Sequence, residues 1–148
     1  HLIEIEDLDS PLADSFIDQM LLEVFAFFPR GPLVVGGNCQ GGLPALALAR
    51  KLTRLSRRPR QLILVEWSFT CRAYADPVHL IYGSESPVAK AFEEESGAGW
   101  REIFPSVSVE SLPTEHGAFF APENVMHLAS AVRPFLKKSL WDRIRGWF

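Results

Sequence analysis

Apolar positions along this 148-residue chain follow two rhythms, short continuous or alternating runs and stretches that return every three or four residues. The runs read as strands at residues 2–5, 33–37, 61–65, 77–83 and 106–112. Between the first two, Asp9-Ser10-Pro11 gives a helix start, and Phe16, Met20, Val24 and Phe27 or Phe28 form one apolar face. Pro29-Arg30-Gly31-Pro32 ends that helix. A second helix is expected from Gly41-Gly42-Leu43-Pro44 to about Ser56, where Pro is tolerated because first-turn N–H groups lack helical partners. A charged helix is expected over residues 89–95 and a last one over 122–135. Strands alternating with helices predict an α/β fold, a mainly parallel sheet with helices on both faces.

Composition narrows this reading. The chain fits one domain, and at 47% hydrophobic and 22% charged it can bury a real core. A net charge of −3 points to no nucleic-acid partner. The basic runs Arg57-Arg58-Pro59-Arg60 and Lys137-Lys138 read as solvated helix ends. No apolar run reaches the roughly 18 residues of a membrane span, and no signal peptide is visible, so a cytoplasmic setting is expected. Cys39 and Cys71 make no disulfide framework and lack metal-ligand spacing, so neither metal nor cofactor is expected.

The candidate chemistry begins at Gly37-Asn38-Cys39-Gln40-Gly41, a G-x-C-x-G motif between an apolar strand and a helix. That is the setting of the nucleophile elbow of α/β hydrolases, with Cys in place of Ser. Glycines are needed there because side chains flanking a strained strand-to-helix turn would collide. A sulfur at a helix N-terminus has its anion stabilised by unpaired N–H groups, and the N–H of Gln40 would serve as an oxyanion-hole donor. The competing reading is a glycine-rich turn with an inert, buried Cys.

A thiol nucleophile needs a base, and the base an orienting acid, in the chain order nucleophile, acid, His. Glu66 ends the strand at 61–65 and is the first choice of acid. Glu85, in Gly83-Ser84-Glu85-Ser86-Pro87 at the end of the next strand, is the second, while Asp76 stands at the wrong end of its strand. His116, just past the last strand, is the expected base. His79 lies inside a strand and reads as a core or face residue, and His127 lies inside the last helix.

With these residues placed, the chain resembles the type I thioesterase domains that release products from polyketide and nonribosomal peptide synthases. Gly31 to Gly42 looks like that family's strand and elbow, Leu62-Ile63-Leu64-Val65-Glu66 like its acid-bearing strand, and Gly99-Trp100-Arg101 with Val109 to Phe120 like its last strand and His loop. The resemblance implies acyl transfer from a phosphopantetheine thioester on an acyl or peptidyl carrier protein, or from neighbouring synthase domains. The acyl group would pass through Cys39 to water, an internal nucleophile or an amine. The chain departs from the family in four ways. Cys replaces Ser, and Glu replaces the usual Asp. Only residues 67–76 stand where a helical lid is inserted. The early strands, expected upstream of Leu2, are missing from a chain that opens on His1 and reads as an excised piece. A bare sheet edge beside residues 33–36 is therefore expected.

The expected layout is a thioesterase-like domain over residues 1–136 and an amphipathic tail over 137–148, with Leu140, Trp141, Ile144, Trp147 and Phe148 as its apolar stripe. Two other functions compete. One is a binding or structural module that keeps the hydrolase fold without its chemistry. The other is a small-ester or lactone hydrolase of the dienelactone type, which also uses a Cys elbow.

Overall fold

The computed structural model of the chain describes residues 3–4, 11–94 and 97–145. Its centre is a four-stranded parallel sheet in the order β2-β3-β5-β6, made of β2 (Val34–Asn38), β3 (Gln61–Val65), β5 (Val78–Gly83) and β6 (Val107–Leu112). The short β1 (Ile3–Glu4) pairs in parallel with β4 (Phe69–Thr70), apart from this sheet. Among the described residues five α-helices accompany these strands: α1 (Pro11–Phe27), α2 (Gly42–Arg54), α3 (Pro87–Glu94), α4 (Ala98–Ile103) and α5 (Val125–Arg145).

The unbroken apolar runs at β3 and β5 are buried along their whole length, because helices cover both faces of the central strands. Alternate residues feed opposite layers. Leu62 and Leu64 join Leu46, Leu52, Leu80, Trp67 and Phe104 in the larger core on the α1–α2 side. Ile63, Val65 and Ile81 pack with Leu112, Phe119, Leu128 and Ala131 on the α5 side.

Three elements differ from the sequence expectation. Helix α1 buries Ile17 and Leu21, with Met20, Val24 and Phe25 half-buried, while Phe16, Phe27 and Phe28 face outward. The buried stripe is thus turned by about one residue from the one expected, since docking on α2 and not the spacing of phenylalanines decides the face. Helix α4 occupies a segment for which no element is expected from the sequence, and is held by buried Trp100 and Ile103. Helix α5 continues through Pro134 to Arg145, so its backbone crosses the expected 136/137 boundary without a break. The expected charged helix at 89–95 corresponds to α3, and the final residues 146–148 of the tail lie outside the described ones, as does most of the segment before Pro11.

Among the described residues, β2 is hydrogen-bonded to a strand only on its β3 side. An apolar groove of about 450 Å³ runs beside it, walled by Met20, Val24, Leu33 and Leu48 among others. The 67–76 segment contains β4 and no helix. No helix among the described residues is long and apolar enough to cross a membrane.

Candidate active site

Cys39 follows the last residue of β2 and opens a 3-10 turn, Cys39–Gly41, that runs directly into α2. Its φ is +49°, a left-handed conformation rare for a non-glycine residue and a mark of stored strain at functional turns. The sharpness of this reversal explains one glycine of the motif. A Cβ on Gly37 would collide with the Gly41 carbonyl, which the turn folds back over the strand end. The second constrained glycine is Gly42 and not Gly41 as expected. A Cβ on Gly42 would stand 2.9 Å from the Trp67 ring, whereas one on Gly41 would meet nothing within 4 Å. Gln40 is the next residue of the turn, at the exposed head of α2.

Glu66 leaves β3 at the same level. Asn38 and Val65 are register partners, so Cys39 and Glu66 are the first residues beyond one rung of the ladder. Glu66 is also left-handed, with φ +55°. Its side chain is only 1% exposed, and its carboxylate is fully engaged. Oε1 accepts the Gly83 N–H at 2.7 Å, and Oε2 accepts the Ser86 hydroxyl at 2.6 Å and lies 2.9 Å from His116 Nδ1. A buried carboxylate is tolerable only with such donors. Through these contacts the carboxylate links the end of β3 to the end of β5 and to the loop that carries His116.

His116 sits in the loop after β6, half-exposed at 52%. Two glycines let the loop reach Glu66. A Cβ on Gly83, at the end of β5, would strike the Thr114 carbonyl, so the loop lies directly on that strand end. Gly117 takes φ +82° immediately after His116. The backbone bond from Ser84 N–H to Leu112 O fastens the two strand ends together.

The structure therefore brings Glu66 and His116 into contact, with Cys39 at the neighbouring strand end. Among the described residues the Cys39 thiol makes no hydrogen bond. Glu85, the second-choice acid, is exposed and pairs with Lys90 at 3.5 Å. Asp76 lies at the opposite end of the sheet, bound to Thr53 Oγ1 at 3.0 Å and Arg58 Nε at 3.2 Å. His79 is buried in β5, its ring between Ser108 Oγ at 2.8 Å and Glu110 at 3.2 Å. His127 is exposed on α5. No group of three or more His, Cys, Asp and Glu side chains among the described residues is placed to hold a metal.

Sequence reasoning missed two supports. Ser86 is fully buried against Glu66, although only its neighbour Glu85 drew notice. Tyr82 and Trp100 form the other. The Tyr82 hydroxyl donates to the Trp67 carbonyl at 2.8 Å and accepts from Trp100 Nε1 at 2.9 Å. This pins the backbone next to Glu66, and burial holds the phenol firmly protonated.

Neither a protein-family model nor a curated protein matches the chain. Solved structures do. The NocB thioesterase domain, seen as a covalent complex with a fluorophosphonate nocardicin G analogue, matches with a TM-score of 0.69 at 19% identity, over 82% of this chain and 74% of that one. The fold is that of the α/β-hydrolase thioesterases. YbtT, a type II thioesterase from the yersiniabactin pathway, matches with a TM-score of 0.64 at 14% identity, over 84% of this chain and 74% of that one. The four-domain nonribosomal peptide synthetase AB3403 matches with a TM-score of 0.69 at 12% identity, over 82% of this chain and 16% of that one. In this chain the Cys39 turn, Glu66 and the loop that carries His116 all stand at the carboxyl ends of the strands of the four-stranded sheet.

Proposed function

We propose that the chain performs thioesterase-type acyl transfer through Cys39, with His116 as base and Glu66 as the acid that orients it. The observation that carries this reading is the buried Glu66 carboxylate at 2.9 Å from His116 Nδ1, one strand over from a left-handed Cys39 at the head of a helix. A carboxylate partner keeps the proton on Nδ1, which leaves Nε2 with the lone pair a base requires.

In the first half-reaction, Nε2 takes the thiol proton as Sγ attacks the thioester carbonyl. The negative oxygen is met by the N–H of Gln40, a kind of contact worth ~10²–10³ in rate. The bond to the outgoing sulfur then breaks, and that thiolate takes the proton back from His116. In the second half-reaction, water, an amine or a hydroxyl of the acyl chain attacks, giving its proton to Nε2, and the Cys39 sulfur leaves, taking that proton from His116 to become a thiol again. The sulfur that leaves first is the phosphopantetheine arm of a carrier protein, so an acyl or peptidyl carrier, or a neighbouring synthase domain, is the partner. No metal or cofactor takes part. The nonribosomal-peptide and polyketide pathway of the structurally similar YbtT supports this substrate class.

The test is turnover of an acyl-phosphopantetheine thioester together with the iodoacetamide rate of Cys39 against pH. Cys71 is the internal reference, since burial pushes its thiol up. Expected outcomes are turnover that vanishes in Cys39→Ala, a fall of ~10²–10⁴ in His116→Ala, and Cys39 alkylation that outpaces that of Cys71 and slows in His116→Ala. Absent turnover, with Cys39 alkylating as an ordinary thiol in both wild type and His116→Ala, would favour the binding-module reading. Faster turnover of a small lactone than of the thioester would favour the dienelactone type.

A further inference from the structure

We propose that Ser86 is a positioning residue for His116, acting through Glu66; the proposal builds on the acyl-transfer reading of this site. Four observations converge on it. First, Ser86 is 0% exposed, so its hydroxyl has no water to bond and its partners are fixed by the protein. Second, Ser86 Oγ to Glu66 Oε2 is 2.6 Å, within the range of a charge-assisted O–H···O⁻ bond. Third, the hydroxyl's direction is determined. Ser86 Oγ accepts the Val88 N–H at 3.3 Å as the cap of α3, so the hydroxyl hydrogen is left to point at Glu66. Fourth, the oxygen it binds is the one that faces His116, while Gly83 N–H holds the other oxygen.

The physical need follows from the acid. Glu has one more rotatable bond than Asp, so a carboxylate that is to hold a ring needs outside restraint. Gly83 N–H and the Ser86 hydroxyl, one on each oxygen, stop the carboxylate from turning about its last bond. Oε2 then presents a fixed lone pair to Nδ1, and the imidazole is held in the tautomer that leaves Nε2 basic. The residue that does this lies at the strand end where Glu85, the more conspicuous acid, points away to Lys90. The β5 end thus contributes a hydroxyl that serves the acid of β3.

The experiment compares wild type, Ser86→Ala and Ser86→Thr, reading thermal midpoint, kcat and KM on the thioester, and the His116 ring nitrogens by ¹⁵N-resolved NMR. Ser86→Ala is expected to lose kcat by on the order of tenfold with KM unchanged, the worth of one hydrogen bond to a charged group. It is also expected to lose the Nδ1–H signal of His116 at neutral pH through exchange between tautomers. Ser86→Thr, which keeps the hydroxyl, restores both. A purely structural Ser86 would lower the thermal midpoint alone. A folded Ser86→Ala with wild-type kcat and an intact Nδ1–H signal overturns the proposal. If Ser86→Ala does not fold, Ser86→Cys, close in size and a weak donor, is read by the same two criteria. If wild type turns over no thioester, the acyl-transfer reading fails, whereas the NMR comparison still decides whether Ser86 fixes His116.

Discussion

A Cβ at Gly37 has nowhere to go, because the turn that lifts Cys39 off the sheet lays the Gly41 carbonyl against it. Gly41 itself takes φ −64° with free space around it. The two flanking glycines of the motif therefore have opposite sensitivities. Gly37→Ala is expected to cost about 3 kcal/mol or more, or to prevent folding. Gly41→Ala is expected to be neutral or to stabilise by about 0.5 kcal/mol through the unfolded chain. Urea denaturation of the two variants checks this, and equal losses would contradict the geometry. The acid is constrained as tightly. Glu66→Asp withdraws the carboxylate by one methylene from donors at 2.7, 2.6 and 2.9 Å, so its turnover is expected to drop at least tenfold although the charge remains. Full activity in Glu66→Asp would mean that the acid reaches His116 by another route. At this scale the sequence was informative where the fold's logic fixes a position. Glu66 and His116 are readable because an acid ending an apolar strand and a His past the last strand are placed by topology. Ser86 was not readable, because nothing in a Ser-Glu-Ser-Pro run says which side chain turns inward.

Elements carry the next set of consequences. In α1 two overlapping three- and four-residue series share Met20 and Val24, one through Phe16 and Phe27, the other through Ile17 and Leu21. Contact with α2 selects the second, which is why periodicity alone named the wrong edge of the stripe. Leu21→Ala is accordingly expected to cost ~2–5 kcal/mol, and Leu22→Ala, at a residue 72% exposed, to stay within about 0.5 kcal/mol. Chemical denaturation of both variants settles which face is docked. Helix α4 escaped notice for a related reason: a six-residue helix with Gly97 before it and Gly99 within it has a loop's composition, and only the burial of Trp100 and Ile103 makes it worth forming. The β5–β6 pair brings a pH dependence. Burial is the larger influence on His79 and lowers its pKa from the ordinary 6.5, with Glu110 opposing. The folded state therefore prefers neutral His79 while the unfolded chain takes up a proton near pH 6.5. The stability that neutral His79 contributes is complete above that pH and is lost as the pH falls below it. Between pH 7.5 and 5, wild type is expected to lose more stability than His79→Gln, as read by urea midpoints at each pH. Parallel losses would mean that His79 titrates alike in both states.

For the molecule as a whole, the alternation of strands and helices was enough to reach a parallel α/β sheet, because β3 and β5 are apolar runs that only a doubly covered sheet can bury. What the alternation could not supply was pairing outside that sheet. The two-residue strands β1 and β4 are too short to carry a period, and their partnership is a tertiary choice. Nor could composition place the end of α5, since a Pro at 134 ordinarily breaks a helix and here the helix continues past it.

The hydrogen bonds of Glu66 also set an order in time. Its bonds to Gly83 and Ser86 join residues 17 and 20 positions apart, whereas its contact with His116 spans 50. At a synthesis rate of ~5–20 residues per second, His116 is made roughly 3 to 10 seconds after Glu66. Glu66, Gly83 and Ser86, the residues that seat His116, are thus all synthesised before it. On the proposed reading, Cys39 would be a thiol without its base through that interval, and its reactivity would wait until β6 is paired and the loop behind it reaches Glu66.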